Sequence, residues 1–373
     1  MSARSPFDAK QKPNATSART SSREVWIVTP YGWAMTSTDL PTVTVLVPVL
    51  NEAAYLPRCL DCIFQQDYPP DLIEVLVIDG GSTDGSREIV TLYRYQHPNL
   101  RLLVNPEGWI SYALNRGIQA ATGEIVVRVD AHTFIAPDYI RRCVAALRTG
   151  KVTAVGGTFQ PIGETLTGRA IAAVIAHPLG GGPAPFRHAR RPMWVDTVYL
   201  GAWLRDTLHQ VGGFNTTLAA NEDFELCYRL RRLGGRILCD PAIRSWTVVR
   251  QTFRALAQQY GRYGYWKGQM LKQHPRSLRW RQLPAPLLVF TFWLLWLLGW
   301  HVPWAAQAAV GVLTAYAGFI ALLATEIALR NGWQLWWRVW LAFWIVHWAW
   351  GMGFWAGLFT PLPRREADTF RNK

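Results

Sequence analysis

Pro41-Thr-Val-Thr-Val-Leu-Val-Pro48, then Leu72-Ile-Glu-Val-Leu-Val-Ile78 running into Asp79-Gly-Gly-Ser-Thr-Asp-Gly85, decides the fold. Both runs are short, β-branched and apolar without alternation, as strands buried on both faces of a sheet are. A helical pattern from Glu52 to Gln66 separates them, and another helix follows the Gly-rich loop. Outward from there, Leu100–Val104 predicts a third strand, and Ile110–Ala121 a helix stopped by Gly123 in a C-cap role. Glu124–Val129 predicts a fourth strand that delivers Asp130 at its carboxyl end. Strands alternating with helices at this spacing predict an α/β domain with a mostly parallel, doubly wound sheet. Ligands bind such sheets past the carboxyl ends of the strands. Glu52, Asp79 and Asp130 all fall there, along one rim.

Further on, His177–Arg187 is dense in Gly and Pro and reads as a loop or lid. A helix is expected from Asn221 to Leu233, closed by Gly234-Gly235, and another from Thr252 to Gln273 that lies in a membrane interface. Three apolar segments follow: Leu283 to Trp300, Val302 to Leu329, and Trp333 to Phe359. Each reaches or approaches the roughly 20 residues that cross a bilayer as helix. Of the 20 tryptophans, 13 lie beyond Arg279, a crowding that suits headgroup level. Lys267, Lys272, Arg276, Arg279 and Arg281 precede the first segment, which predicts a cytoplasmic catalytic domain on a multi-pass protein of the inner cell membrane. The third segment carries Arg338 and His347, and Arg364, Arg365, Arg371 and Lys373 follow it. Either that helix is re-entrant or the earlier charge cluster dominates orientation.

The expected organisation is thus a flexible polar leader over 1–40, a catalytic domain over 41–250, interfacial helices over 251–282, a transmembrane region over 283–360 and a basic tail over 361–373. The leader has no apolar run, so an exported catalytic domain is not expected. A net charge of +14 fits an acidic membrane surface, and neither a reading-head motif nor a basic stripe with interleaved aromatics points to nucleic acid. Cys59 and Cys62 are spaced C-x-x-C, but no second pair completes a zinc ribbon, and they fall inside a helix, where buried packing is expected.

Pro48-Val-Leu-Asn-Glu52, the Asp79–Gly85 loop, Val129-Asp130-Ala-His132, Asn221-Glu222-Asp223 and Gln259-Tyr-Gly-Arg262-Tyr263 resemble, in order and spacing, the motif set of family 2 glycosyltransferases. Within that family the chain looks similar to the membrane glucosyltransferases of succinoglycan-type exopolysaccharide assembly. The similarity covers roughly Thr42 to Lys267. It implies a GT-A fold, with a Rossmann-like, mostly parallel sheet, followed by transmembrane helices.

Transfer from a nucleotide sugar needs a pocket for the base, a counter-charge for the diphosphate and a base for the acceptor hydroxyl. Asp79 can accept a hydrogen bond from a ring N–H, with Pro48 and Glu52 shaping the wall; the same sequence also makes an ordinary tight turn. Asp130, by resemblance, holds a divalent cation, Mg2+ or Mn2+, that bridges the phosphates. His132 stands where the family has a second acid, and either joins the metal or touches phosphate itself. Asn115 and Arg116 resemble a further donor-site pair. Asn221 is expected to cap its helix, whose N-terminal field would keep Asp223 ionised. The resemblance makes Asp223 the general base, with inversion at the anomeric carbon, and Glu222 the residue that orients the acceptor. Gln259, Arg262 and Tyr263 match the acceptor opening, with Trp266 and Lys267 near the acceptor's phosphates. Arg187, His188, Arg190 and Arg191 either close over the diphosphate or are solvated.

The reading is an inverting hexosyltransferase that moves sugar from a UDP-sugar to a polyprenyl-diphosphate-linked glycan. Its rivals are a polyprenyl-phosphate sugar synthase, a processive polysaccharide synthase and a non-catalytic membrane scaffold that retains the fold.

Overall fold

A computed structural model describes residues 27–28, 34–35, 40–182 and 184–362. The basic tail beyond 362 and most of the leader lie outside these residues. Within the leader, β1 (Ile27–Val28) and β2 (Ala34–Met35) pair as an antiparallel ribbon.

The chain from Pro41 onward forms a unit of its own. Its first half alternates β3 (Val43–Val49), α1 (Leu56–Phe64), β4 (Ile73–Asp79), α2 (Ser86–Gln96), β5 (Leu100–Val104), α3 (Ile110–Ala120) and β6 (Ile125–Arg128). After these come β7 (Thr133–Ile135), α4 (Tyr139–Leu147), β8 (Ala154–Ile162), α5 (Leu166–Ala176), α6 (Pro185–His188), β9 (Met193–Val195), β10 (Tyr199–Leu204), α7 (Arg205–Gln210), α8 (Glu222–Arg232) and β11 (Ile237–Val248). The sheet runs β5-β4-β3-β6-β10-β8-β11-β7, with β9 also on β11.

The sheet is mixed rather than mostly parallel. β5, β4, β3 and β6 are parallel neighbours, as are β8 and β11, but β10 runs antiparallel to both β6 and β8, and β7 and β9 antiparallel to β11. Val43, Val45, Val47, Val75 and Val77 are wholly buried, because both faces of this region are covered.

Gly123 does not cap α3. Ala121 ends that helix in extended backbone, and a Cβ on Gly123 would come within 2.5 Å of the Thr44 nitrogen. The glycine lets the turn before β6 touch β3, where its N–H donates to Thr44 Oγ1 at 2.8 Å. Cys59 is buried on α1, and the cysteines are free thiols, as packing requires.

Beyond the sheet lie α9 (Phe253–Gln273), α10 (Pro284–Leu298), α11 (Pro303–Asn331) and α12 (Trp336–Phe359). Among the described residues one helix, α11, is long and apolar enough to cross a membrane, and α10 is apolar but shorter. α12 instead lies along α9 and touches α5. Ile171, Val174, Leu256, Ile327, Val339 and Phe343 form a shared core there. His347 of α12 is hydrogen-bonded, its Nδ1 2.8 Å from Tyr316 Oη and its Nε2 2.7 Å from the Leu179 carbonyl. Polar partners on both ring nitrogens account for a histidine within an apolar segment.

Candidate active site

Strand ends set the stage. β3 passes through Pro48 into Asn51, whose φ of 56° folds the loop back. The loop is laced to the one after β4: Asn51 N–H donates to Ser82 Oγ, Glu52 N–H to Ser86 Oγ, and Ala53 N–H to Asp84 Oδ2, at 2.9, 3.0 and 2.9 Å. These bonds turn the helix start expected at Glu52 into an anchored loop, and α1 begins at Leu56.

Asp79 is buried at the end of β4 and accepts from Gly81 N–H at 3.0 Å, Ser82 N–H at 3.1 Å and Arg87 Nε at 2.5 Å. Burial alone would raise its carboxyl, but the donors on Ser82, Arg87 and Gly81 outweigh it and hold the group below its ordinary value. Much of its accepting capacity therefore rigidifies its own loop.

At the end of β6 the charges converge. Arg128, 6% exposed, donates from Nε to Asp130 Oδ1 at 2.7 Å and from Nη2 to Oδ2 at 3.3 Å. Its Nη1 donates to Glu222 Oε1 at 3.0 Å. Asp223 shares the field of Arg128, Asp130 and Glu222. The carboxyl of Asp223 is pushed up to about 6, first by burial and then by Glu222, with Arg128 opposing. The helix start does not dominate as expected, since desolvation and a neighbouring carboxylate outweigh a terminal dipole. Nor does Asn221 cap α8: its backbone is left-handed at φ 63°, and its Nδ2 donates to the Tyr263 carbonyl at 3.0 Å.

That bond ties the turn before α8 to α9. Arg262 Nη2 donates to the Ala219 carbonyl at 2.6 Å, and Gln259 Nε2 to Tyr263 Oη at 3.1 Å. Arg262 and the Tyr263 backbone therefore touch the turn that leads to Glu222 and Asp223, and Gln259 is held beside them through the Tyr263 hydroxyl. His132 Nδ1 lies 3.0 Å from Glu52 Oε1 and joins the loops after β3 and β6.

Asn115 and Arg116 each have a partner within the fold. Asn115 makes a two-way bond to the backbone of Phe214, at 2.8 Å each way, and Arg116 pairs with Glu107 at 2.7 Å. In the lid segment Arg187 stacks over the Phe159 ring at 5.0 Å, His188 Nε2 lies 3.3 Å from the Gly182 carbonyl, and Arg190 and Arg191 are exposed. Arg128 is the residue that sequence reading passed over as a strand position. A signal existed: in a strand, positions i and i+2 share a face, so Arg128 and Asp130 had to point the same way.

Among the described residues no three His, Cys, Asp or Glu side chains gather as a metal cage. Asp130 and His132 supply one carboxylate and one imidazole, which fits a cation held jointly by few side chains and a substrate's phosphates.

Residues 44–192 match the model of "Glycosyl transferase family 2". The succinoglycan biosynthesis protein ExoA of Rhizobium meliloti (strain 1021) is 30% identical over 331 residues, 87% of this chain and 98% of the relative. The chain belongs to glycosyltransferase family 2. This glycosyltransferase is accordingly an enzyme, a hexosyltransferase. It is also similar, 26% identical over 64% of this chain and 76% of the relative, to a dolichyl N-acetyl-alpha-D-glucosaminyl phosphate 3-beta-D-2,3-diacetamido-2,3-dideoxy-beta-D-glucuronosyltransferase of Methanococcus voltae. Among solved structures, the mannosyltransferase PcManGT from Pyrobaculum calidifontis, in complex with GDP-Man and Mn2+, superposes with a TM-score of 0.55 at 26% identity, over 87% of this chain and 89% of that one. The fold is GT-A.

Proposed function

We propose that this glycosyltransferase is an inverting hexosyltransferase that takes sugar from a nucleotide diphosphate donor, a UDP-sugar, and adds it to a polyprenyl-diphosphate-linked glycan at the cytoplasmic face of a membrane. The observation that carries the reading is the meeting of Asp130, Glu222 and Asp223 around Arg128, directly against α9. Relatives and the solved neighbour support it: one is named for transfer to a dolichyl-phosphate-linked sugar, and the other was solved with a nucleotide sugar.

The laced loops after β3 and β4, with Pro48, Glu52 and Asp79, receive the nucleotide. Asp130 and His132 would hold the divalent cation, Mg2+ or Mn2+, which supplies Lewis-acid stabilisation of the departing diphosphate. Glu222, fixed by Arg128, orients the acceptor. Asp223 takes the proton from the acceptor hydroxyl as its oxygen attacks the anomeric carbon, the bond to the diphosphate oxygen breaks, and configuration inverts. A base with a value near 6 is mostly unprotonated at neutral pH yet basic enough to accept that proton.

The acceptor arrives from lipid. An apolar groove of 490 Å3 between α9 and α12, lined by Ala257, Gly261, Met352 and Gly353 with Arg262 beside it, suits an isoprenoid chain. We take α10, α11 and α12 together as the membrane region, with α9 in the interface.

Purified enzyme in micelles, given a panel of UDP- and GDP-sugars with lipid extract and Mg2+ or Mn2+, should release nucleotide only when both donor and lipid are present. Product size distinguishes an extended glycan from a single sugar on lipid phosphate. Full turnover by the Asp223→Asn chain, or no binding of any nucleotide sugar, overturns the reading.

A further inference from the structure

The mechanism leaves one cluster of charges unused. A cavity of 360 Å3 lies between β9, the end of α8 and the short 3-10 turn Trp280–Gln282 that leads into α10; Trp194, Asp196, Arg231, Arg279, Trp280 and Arg281 line it. Asp196 accepts a hydrogen bond from Arg281 Nη2 at 2.6 Å, and Arg279 Nε lies 3.1 Å from the same oxygen as an ion pair without a hydrogen bond. One carboxylate thus faces three guanidinium groups and pairs with two of them. Arg231 gets no direct share: its Nε and Nη2 are buried with no hydrogen-bond partner among the described residues, and Asp196 Oδ1 is buried and unbonded as well. Buried guanidinium N–H groups without protein acceptors are costly, and an anion in the cavity would satisfy them.

The surroundings identify the ligand's chemistry. Excess positive charge with guanidinium forks selects phosphate geometry. The cavity rim carries Trp280, 77% exposed, and Trp194, 46% exposed, beside the first apolar helix. Exposed tryptophans next to an apolar segment mark headgroup level. Lys267 of α9 borders the same cluster; its Nζ donates to the Ser277 carbonyl at 3.2 Å and sits 4.1 Å from the centre of the Phe224 ring, and burial together with Arg281, Arg279 and Arg231 lowers its amine to about 7, a sign of how strongly positive the cluster is. Arg231 is two turns of α8 beyond Asp223, about 12 Å along the helix, so the cavity is separate from the diphosphate seat at Asp130.

We infer that the Arg231–Arg279–Arg281 cavity is a second anion site that binds the phosphate headgroup of an anionic lipid at the membrane surface. It rests on the interfacial placement of this region proposed above, not on the identity of the transferred sugar.

The test uses the full chain in neutral maltoside micelles and follows its Tm against added dihexanoyl phosphatidic acid, dihexanoylglycerol or inorganic phosphate. Phosphatidic acid should raise Tm saturably, while the uncharged lipid and free phosphate at equal concentration should not. Arg231→Gln removes two buried N–H groups that lack acceptors and gives up only a ring contact with Tyr228 at 6.0 Å, so the unliganded chain should stay folded with Tm close to wild type. Its half-saturating concentration of phosphatidic acid should rise roughly tenfold or more, as the loss of one charged donor implies. Arg279→Gln, on a different element, should give the same loss. Donor-nucleotide binding, measured on the same samples, should not change, which separates this site from the transfer reaction. Equal stabilisation of wild type and Arg231→Gln by phosphatidic acid overturns the site; equal stabilisation by dihexanoylglycerol or inorganic phosphate overturns the lipid headgroup as its ligand.

Discussion

Arg128 joins Asp130 to Glu222, lying 2.7 Å from the first and 3.0 Å from the second, although 94 residues separate Arg128 from Glu222 in sequence. A single buried cation thereby fastens the end of a parallel strand to the start of α8 and offsets three carboxylates that would otherwise repel one another.

Removing it should be costly. Arg128→Met leaves Asp130 and Glu222 buried and uncompensated, and breaking such a pair typically costs about 3–5 kcal/mol. Thermal unfolding should show that loss, and adding Glu222→Gln to the same chain should recover a large part of it, because the two sites share one interaction. Additive losses in the double variant would mean that the contact carries no coupling energy.

Asp223 makes a prediction about pH. With its carboxyl near 6, kcat/KM should rise with pH through an acid limb centred there. Arg128 lowers that value, so a folded Arg128→Lys chain with a displaced charge should shift the limb to higher pH. Asp223→Asn should cut kcat by roughly 10²- to 10⁴-fold. It should not cost stability. The folded chain holds the Asp223 proton more tightly than the unfolded chain, so this group's contribution is present in acid and lost as pH climbs through about 6. At neutral pH the Asp223→Asn protein should therefore match or exceed wild type in Tm, and a lower Tm there would contradict the raised carboxyl.

The alternating half of the fold was legible because β3, β4 and β6 are continuous β-branched runs that stop at acids. The antiparallel half was not: β7 and β9 have three residues each, too few for periodicity, and their partner β11 lies about a hundred and about forty residues away along the chain. The acids at the strand ends could be read from position alone. Arg128 could not be assigned, because its second partner is set by the long-range approach of α8. Asn221 has the chemistry of a cap, but the left-handed turn required to reach Tyr263 overrides it.

Asn115 offers a sharp separation between a donor-site role and a structural one. Both ends of its amide are committed to the Phe214 backbone, so Asn115→Ala strands a buried N–H and a buried carbonyl, each worth about 1–3 kcal/mol. Tm should drop accordingly. The KM for the nucleotide sugar, measured on the folded fraction below the transition, should stay at the wild-type value; a large rise in KM with Tm unchanged would return Asn115 to the donor site.

A close backbone approach between α9 and α12 tests how these two helices hold the site. Along α9, Cβ atoms on Gly264 and Gly268 would come within 2.0 Å of the Trp350 carbonyl oxygen and 2.4 Å of the Phe354 oxygen; along α12, one on Gly357 would reach the Tyr265 oxygen at 2.0 Å. Helices packed this closely depend on small residues at the contact, as membrane helices commonly do. Gly264→Ala or Gly357→Ala must push α9 from α12, an overpacking cost of about 1–3 kcal/mol. Because α9 carries Gln259, Arg262 and Tyr263, the same change should lower transfer to lipid acceptor while leaving donor binding in place. Gly311 and Gly318 on α11 provide the contrast, since nothing lies within 4 Å of a Cβ at either position. There alanine should stabilise the helix by roughly 0.5–1 kcal/mol. Unfolding in micelles ranks the four variants, and equal effects at Gly264 and Gly311 would mean that α9 and α12 are not locked together in the way this interface requires.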